Sequence, residues 1–247
     1  MQQQPHPTNP TTPDAPATPD TPDTPDIPTT PDTLEDLLTT ALRLPGPRTS
    51  GTPRTLLGLA GPPGAGKSVL ARALVQAADD RLGPGTAAYV PLDGFHLSNA
   101  QLRRLALTDR KGSPPSFDAH GYAALLARIA AAPPHDIYVP DYDRTLHEPV
   151  AARHTVHPHC RLVVTEGNYL ALDAPGWREA RARLHALWYV HAPDDLRERR
   201  LHSRHLGNGS SPEQTTARIT GNDRPNGEAV KASRPHCDRV VLAPPLD

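Results

Sequence analysis

Short apolar runs alternate with segments of helical periodicity along most of this 247-residue chain. Runs that predict buried strands lie at residues 55–60, 87–92, 137–139, 161–165, 186–190 and 238–242. Helical spacing or helix-start residues mark the segments 34–44, 68–78, 98–107, 120–132, 193–206 and 212–220. Residues 141–148 are mostly polar and are predicted to form a loop. Strands that alternate with helices predict an α/β fold, a three-layer αβα sandwich around a mostly parallel central sheet.

A glycine-rich turn joins the first long predicted strand to the helix that follows it. Residues 61–68 spell GPPGAGKS, which matches the P-loop pattern G-x-x-x-x-G-K-[ST] in its required place between a strand and a helix. Backbone N–H groups of such a loop surround a phosphate, while Lys67 reaches the β- and γ-phosphates and Ser68 binds Mg²⁺. The predicted nucleotide contacts are Gly61, Gly64, Ala65, Gly66, Lys67, Ser68 and Val69. The sequence therefore predicts a P-loop NTPase fold that binds ATP and Mg²⁺.

Two carboxylates follow predicted strands and belong at the same sheet edge as the P-loop. Asp93 follows the strand 87–92, and Glu166 follows the strand 161–165. A carboxylate at the position of Asp93 accepts a proton from a hydroxyl that attacks the γ-phosphate. Glu166 is placed to hold Mg²⁺, directly or through water. A helix or turn cap is the alternative for Asp93, and a turn residue is the alternative for Glu166.

The segment 193–206 is rich in arginine and begins with Pro193 and two aspartates. Arg197, Arg200 and Arg204 share one helix face at this spacing. Arginines on a mobile element close over phosphates and neutralise charge in the transition state, and we assign Arg200 to the nucleotide. A solvated charged face is the alternative.

Three stretches resemble the uridine kinase, pantothenate kinase and phosphoribulokinase group of P-loop small-molecule kinases. Residues 93–118, DGFHLSNAQLRRLALTDRKGSPPSFD, resemble the DGF, KG-x-P and aromatic-Asp pattern of bacterial type I pantothenate kinases. Residues 163–170, VVTEGNYL, resemble the EG-x-N-x-L strand of the group. The YD-x-x-x-H stretch at 142–147 is similar to the nucleoside-contacting loop of uridine kinases. The resemblance covers residues 55–243 and is strongest to bacterial proteins called nucleoside/nucleotide kinase family proteins.

The resemblance implies roles for individual residues. It makes Asp93 the catalytic base, Glu166 a Mg²⁺ residue beside Ser68, and Arg204 the catalytic arginine of a helical lid at about residues 193–225. The predicted acceptor pocket comprises Asp93, His96, Tyr142, His147 and Asn168. The resemblance also suggests a homodimer. His96 and the short lid segment HLGNGSSPEQ depart from the pantothenate kinase pattern, so the acceptor stays open.

Composition divides the chain into a tail and a body. Residues 1–33 contain five Thr-Pro-Asp repeats and few apolar side chains to bury, so they are predicted to be a disordered tail. They have neither the basic start nor the apolar core that a signal peptide requires. Residues 34–247 are predicted to form one kinase domain. Two cysteines are too few for a disulfide framework, which favours a reducing cytoplasmic location. No apolar run is long enough to span a membrane.

Charge and histidine content limit which ligands the sequence predicts. Residues 1–42 hold seven acidic and no Lys or Arg residues, whereas the remainder holds 26 basic and 20 acidic residues. A mildly basic body suits ATP, and no aromatic-interleaved basic stretch indicates nucleic acid. His154, His157, His159 and Cys160 form a weak zinc candidate without a second ligand pair.

The sequence thus predicts an ATP-dependent phosphotransferase that acts on a hydroxyl of a small molecule, namely a nucleoside, a pantothenate-like compound or a sugar. A nucleoside monophosphate kinase is the nearest alternative, but its phosphate acceptor needs no base such as Asp93. A regulatory NTPase is the alternative from another class. The [NT]-K-x-D motif that binds guanine and an LSGGQ-like stretch are both absent from the sequence.

Overall fold

The computed structural model describes residues 24–44 and 54–244. Most of the predicted tail, residues 1–23, lies outside these ranges, as does most of the linker before the P-loop. Residues 24–33 form no helix or strand. Asp32 nevertheless contacts the body, since its carboxylate accepts from Arg239 and its backbone N–H donates to Leu242 O at 3.2 Å. No helix among the described residues is long and apolar enough to cross a membrane.

Seven strands and eight α-helices make up the described chain. The strands are β1 Thr55–Ala60, β2 Ala87–Pro91, β3 Ile137–Asp143, β4 Glu148–Val156, β5 Leu162–Glu166, β6 Ala186–His191 and β7 Arg239–Leu242. The helices are α1 Leu34–Arg43, α2 Lys67–Leu82, α3 Asn99–Arg104, α4 Ala119–Ala130, α5 Trp177–Arg181, α6 Asp194–Gly207, α7 Pro212–Arg218 and α8 Arg224–Ala232. A π-helical turn, Ile219–Asp223, joins α7 to α8.

Five strands form one wholly parallel sheet in the order β2-β5-β1-β6-β7. The chain goes from β1 to one edge, returns to β5 beside β1, and then crosses to β6 on the other side of β1. Connections therefore reverse direction around β1, and ligands bind at such switch points outside the carboxyl ends of parallel strands. The topology thus places the site at the loops that follow β1, β2 and β5.

Two apolar layers cover the sheet, because successive strand residues point to opposite faces. Leu57 and Leu59 of β1 pack with α1 and α2 on one face, and Trp188 of β6 is buried on that side. Leu56 of β1 packs on the other face against α4 and Trp177 of α5. The three-layer αβα prediction is therefore confirmed, and both tryptophans are core residues.

The prediction of a polar loop at 141–148 was wrong. β3 and β4 pair antiparallel from Ile137↔Val156 to Asp143↔Glu148, with a register shift between Val139 and Asp141, so only residues 144–147 form the turn. A two-stranded ribbon outside the main sheet needs to bury only some of its side chains, and its outer positions accept charged residues. Polar composition therefore did not exclude a strand here. The ribbon carries Tyr142 and the 144–147 turn.

Candidate active site

The P-loop forms the turn between β1 and α2. Gly64 has a φ of +80°, and a Cβ there would lie 2.7 Å from the backbone oxygen of Arg197. Gly66 adopts the left-handed conformation at the N-cap of α2, with no side-chain cap, which leaves the first N–H groups of the helix for an anion. Val69 is 52% exposed at the mouth of the cleft, whereas Ala65 is buried. Gly61 is also buried at the end of β1, so the cleft itself reaches Gly64 and Gly66 but not Gly61.

Lys67 extends from the first position of α2 into the cleft. Its Nζ donates to Asn168 Oδ1 at 2.7 Å and to Pro62 O at 3.2 Å. Burial lowers the pKa of Lys67 to about 8, although Glu166 and Asp93 act to raise it. Lys67 is therefore mostly charged at pH 7. Asn168, predicted as an acceptor contact, binds the P-loop lysine in this arrangement.

Ser68, Tyr89 and Glu166 form a buried oxygen cluster beside Lys67. Ser68 Oγ donates to Glu166 Oε1 at 2.9 Å, and Tyr89 OH donates to the same oxygen at 2.7 Å. Burial raises the pKa of Glu166, and Asp93 raises it further, while Lys67 acts to lower it. A hydroxyl and a carboxylate are hard oxygen donors of the kind Mg²⁺ binds, usually with several waters. The donor set therefore fits the predicted Mg²⁺ ion, whose charge would favour the ionised carboxylate.

Asp93 stands in the 3₁₀ turn, Leu92–Phe95, that directly follows β2. Its carboxylate lines the cleft with 40% of the side chain exposed, and Arg144 Nη2 lies 3.9 Å from Oδ2. No side-chain cap forms at this turn, and no donor among residues 24–44 and 54–244 hydrogen-bonds the carboxylate. A capping role therefore has no support in the geometry, and the carboxylate is available to a ligand.

The three arginines predicted on one face of α6 do face the P-loop side, but they make different contacts. Arg197 is buried and donates to Pro63 O at 2.9 Å and to Asp194 Oδ1 at 2.8 Å. Arg200 donates to Gly64 O at 3.2 Å. Arg204 lines the cleft without a side-chain hydrogen bond among the described residues. Arg197 thus ties α6 to the P-loop, and Arg204 is the one left for a ligand.

Aromatic side chains line the part of the cleft that the sequence predicts to hold the acceptor. The His96 ring lies 4.0 Å from Phe117 and 4.8 Å from Tyr142, centroid to centroid. Burial lowers the pKa of His96, so the imidazole is neutral at pH 7. His147 lies further out. It lines a second cavity that adjoins the P-loop cleft and does not line the cleft itself. Its backbone oxygen accepts from Lys111 Nζ at 2.6 Å.

The cleft encloses about 370 Å³, within the range of small-molecule sites, and joins side chains the sequence interpretation did not select. These are Arg72, Lys111, Arg144, Arg218, Asn222 and Asp223. Lys111 lies in the KG-x-P stretch and Arg144 in the YD-x-x-x-H stretch. Those two motifs could therefore have identified both residues as part of the site. Nothing in the local sequence marks Arg218. The zinc candidate is not supported, because no group of three or more metal-ligating side chains occurs in the described ranges.

Comparisons with known proteins identify relatives of this chain. No family model matches the chain. A Schizosaccharomyces pombe protein with the provisional name of uridine kinase is 32% identical over 179 residues, or 70% of this chain and 76% of that protein. YggC of Escherichia coli, whose name assigns no activity, is 32% identical over 76% of this chain and 77% of its own length. ATP-dependent kinase YFH7 of Zygosaccharomyces rouxii is 29% identical, with half of its length covered.

Solved structures show the same architecture. A protein of Silicibacter provisionally named a fructose transport system kinase superposes with a TM-score of 0.76 and 36% identity, over 85% of this chain and 98% of that one. A Bacillus stearothermophilus structure described as a possible uridine kinase has a TM-score of 0.57 at 16% identity over 84% and 96%, which shows the fold alone. With its P-loop, its parallel sheet and these relatives, the chain belongs to the uridine kinase-like family of ATP-dependent P-loop kinases.

Proposed function

We propose that the protein transfers the γ-phosphate of ATP to a hydroxyl group of a small molecule. The observation that carries this proposal is the Asp93 carboxylate, which shares one cleft with the P-loop yet accepts no hydrogen bond from the described residues. Asp93 and Glu166 both act on the pKa of Lys67, so the two carboxylates and the P-loop lysine lie within electrostatic reach of one another. A carboxylate beside the γ-phosphate position is the group that a hydroxyl acceptor requires.

The P-loop and α2 supply the nucleotide side of the reaction. Backbone N–H groups at the start of α2 bind phosphate oxygens, and Lys67 contributes a buried positive charge to the β- and γ-phosphates. Ser68 and Glu166 would hold Mg²⁺, which neutralises phosphate charge when it is bound. Because phosphoryl transfer has a loose transition state, these contacts act mainly by positioning and by charge stabilisation.

Asp93 acts on the acceptor. One carboxylate oxygen orients the hydroxyl by accepting its hydrogen bond, and the carboxylate takes the proton as the new O–P bond forms and the bond from the γ-phosphorus to the ADP oxygen breaks. Arg204 donates to the transferring phosphoryl group, where negative charge must be held in place. His96 and Tyr142 bound the body of the acceptor with their rings.

A nucleoside monophosphate kinase is the second candidate, and one observation favours it. Arg144, Arg204 and Arg218 line the cleft around Asp93 with no ion pair closer than 3.9 Å among the described residues, and arginines of this kind bind a phosphate acceptor. The two candidates differ in the bond that is made. A hydroxyl acceptor yields a phosphate ester, whereas a phosphate acceptor yields an anhydride.

An acceptor screen tests the proposal. ADP formation is measured with Mg²⁺ and ATP alone, and then with pooled nucleosides, sugars, pantothenate-like compounds and their phosphates, with products identified by mass spectrometry and ³¹P NMR. We expect little ADP without an acceptor and a phosphate ester with the right one. Lys67→Ala is the control for P-loop-dependent turnover. ATP hydrolysis that is fast and independent of any acceptor would favour a regulatory NTPase, and an anhydride product would favour the monophosphate kinase.

A further inference from the structure

Four cationic side chains converge where the cleft opens away from the P-loop. Lys111 comes from the loop after α3, Arg144 from the β3–β4 turn, Arg204 from α6 and Arg218 from the end of α7. We call these four residues the basic cluster. All four line both the P-loop cleft and an adjoining cavity of about 400 Å³. Of the described residues, none from the P-loop and no Asp or Glu lines the adjoining cavity.

The basic cluster is poorly neutralised by the protein itself. Arg204 and Arg218 make no side-chain hydrogen bond or ion pair with any described residue, and Arg144 reaches Asp93 only at 3.9 Å. Lys111 Nζ donates to two uncharged oxygens, Asn99 Oδ1 at 2.5 Å and His147 O at 2.6 Å. Glu148 offsets part of the charge of Lys111, and both of its carboxylate oxygens also accept from the backbone N–H of Asn99.

The four charges also act on one another. Burial lowers the pKa of Arg204, and Arg144 and Arg218 lower it further, while Asp223 and Asp93 act to raise it. Burial likewise lowers the pKa of Lys111, and Arg218 adds to that effect against Glu148. Like charges held together without an anion destabilise the site, and a bound polyanion removes that cost.

ATP accounts for only part of this charge. The phosphates that the P-loop binds face Lys67 and the start of α2, and Arg200 is bonded to the P-loop backbone. Lys111 and Arg218 also line the adjoining cavity, and Lys111 Nζ lies 5.1 Å from the Tyr142 ring centroid. Arg204 shares helix α6 with Arg200, which bonds the P-loop backbone, and it too lines the adjoining cavity. The positive charges that line the adjoining cavity therefore need an anion other than the ATP phosphates.

We propose that the acceptor itself carries a phosphate monoester, which the basic cluster binds while Asp93 contacts the acceptor hydroxyl. This inference rests on the proposed hydroxyl kinase function and names its substrate class. Guanidinium groups match phosphate oxygens in pairs, and a dianion suits four cations better than a single carboxylate does. The body of the acceptor then lies against Tyr142, which borders both cavities.

A binding experiment tests the anion site without any reaction. The full chain is saturated with Mg²⁺ and a non-hydrolysable ATP analogue, so that the γ-phosphate position is filled, and inorganic phosphate is then titrated by calorimetry. We expect saturable binding to wild type that weakens about 10- to 100-fold in Arg218→Gln, the loss of one charge-assisted contact. Arg199→Gln is the matched control, because Arg199 lies on α6, is exposed and pairs with Asp195.

Several results would overturn the anion site. They are the absence of saturable phosphate binding in wild type, equal weakening in both variants, and unchanged binding in Arg218→Gln. Arg218 is exposed at the end of α7, so its replacement is expected to leave the fold intact. Equal melting temperatures of the three proteins check this expectation.

Acceptor pairs then separate this inference from the proposed function. Uridine with uridine 5′-monophosphate, and fructose with fructose 6-phosphate, differ only in a phosphate. We expect kcat/KM to be higher for the phosphorylated member, a KM for that member that rises in Arg218→Gln, and a second phosphate ester as the product. Equal use of the neutral members with an ester product overturns the inference and keeps the hydroxyl kinase. An anhydride product overturns the hydroxyl kinase, and the phosphate titration still decides whether the basic cluster is an anion site.

Discussion

Replacement of Asp93 by asparagine separates the proposed base from the rest of the site. Asn keeps the shape of the side chain and its reach toward an acceptor hydroxyl but cannot take the proton. The carboxylate is 40% exposed, accepts no hydrogen bond from the described residues, and faces Arg144 at 3.9 Å. An exposed ion pair of that length is worth about 0–1 kcal/mol, so Asp93→Asn is expected to unfold at nearly the wild-type temperature.

The kinetic effect should be much larger than the effect on stability. A general base contributes typically ~10²–10⁴-fold, and we expect kcat with the true acceptor to fall by about that factor. Nucleotide binding should change little at neutral pH, because Lys67 and the P-loop N–H groups are untouched. Asp93 is one of the groups that raise the pKa of Lys67, so loss of this charge should weaken ATP binding at high pH more than at pH 7.

The assay combines steady-state kcat with calorimetry of ATP-analogue binding. Asp109→Asn is the control, since Asp109 is exposed in the 3₁₀ turn Thr108–Arg110 and lies outside the cleft lining. An Asp93→Asn enzyme that turns over within about threefold of wild type, well short of the general-base range, refutes the assignment of the base. The monophosphate kinase would then be the better account.

Three further predictions follow from the same contacts. Arg204→Ala should lower kcat more than it weakens ATP-analogue binding, because its guanidinium is proposed to donate to the transferring group, and an unchanged kcat would contradict this role. Affinity of the free enzyme for ATP should fall as pH rises through about 8, where Lys67 loses its proton, and Lys67→Ala should show no such fall in calorimetry. Deleting residues 1–23 should leave the melting temperature nearly unchanged, whereas extending the deletion through Asp32 should lower it by a few degrees in calorimetric scans, because the contacts with Arg239 and Leu242 are lost.

The nucleotide side of the site was predictable because its geometry is local. The strand, the glycines, Lys67 and Ser68 are contiguous, and Gly64 and Gly66 adopt the positive φ values that such a loop needs. Asp93 and Glu166 follow parallel strands, which meet at one edge of a sheet whatever the intervening chain does. Periodicity and strand ends were therefore enough to bring these groups together.

The acceptor side was less predictable because it is assembled from distant segments. Residues 141–148 are mostly polar, so the sequence predicts one loop there, whereas the structure confines the turn that carries Arg144 to residues 144–147. On α6, spacing placed three arginines on one face but did not distinguish the buried Arg197, bonded to Pro63 O, from the ligand-facing Arg204. The difference between Arg197 and Arg204 depends on which part of the folded chain lies opposite each side chain, and helix spacing does not contain that information.

Helix α6 of the predicted lid contacts the P-loop and also lines the adjoining cavity. Arg197 and Arg200 attach the first turns of α6 to the P-loop backbone, while Arg204, two turns after Arg197, lines the adjoining cavity. His205 of the same helix bonds Asp223 of the π-helical turn at 2.7 Å, which holds α7 and Arg218 over that cavity. Contacts with the P-loop backbone and part of the lining of the adjoining cavity therefore come from one helix and the turn bonded to it. A sequence change in α6 or α7 that leaves the P-loop motif intact can alter which acceptor fits, and for this reason the motif alone predicts the phosphate donor but not the phosphate acceptor.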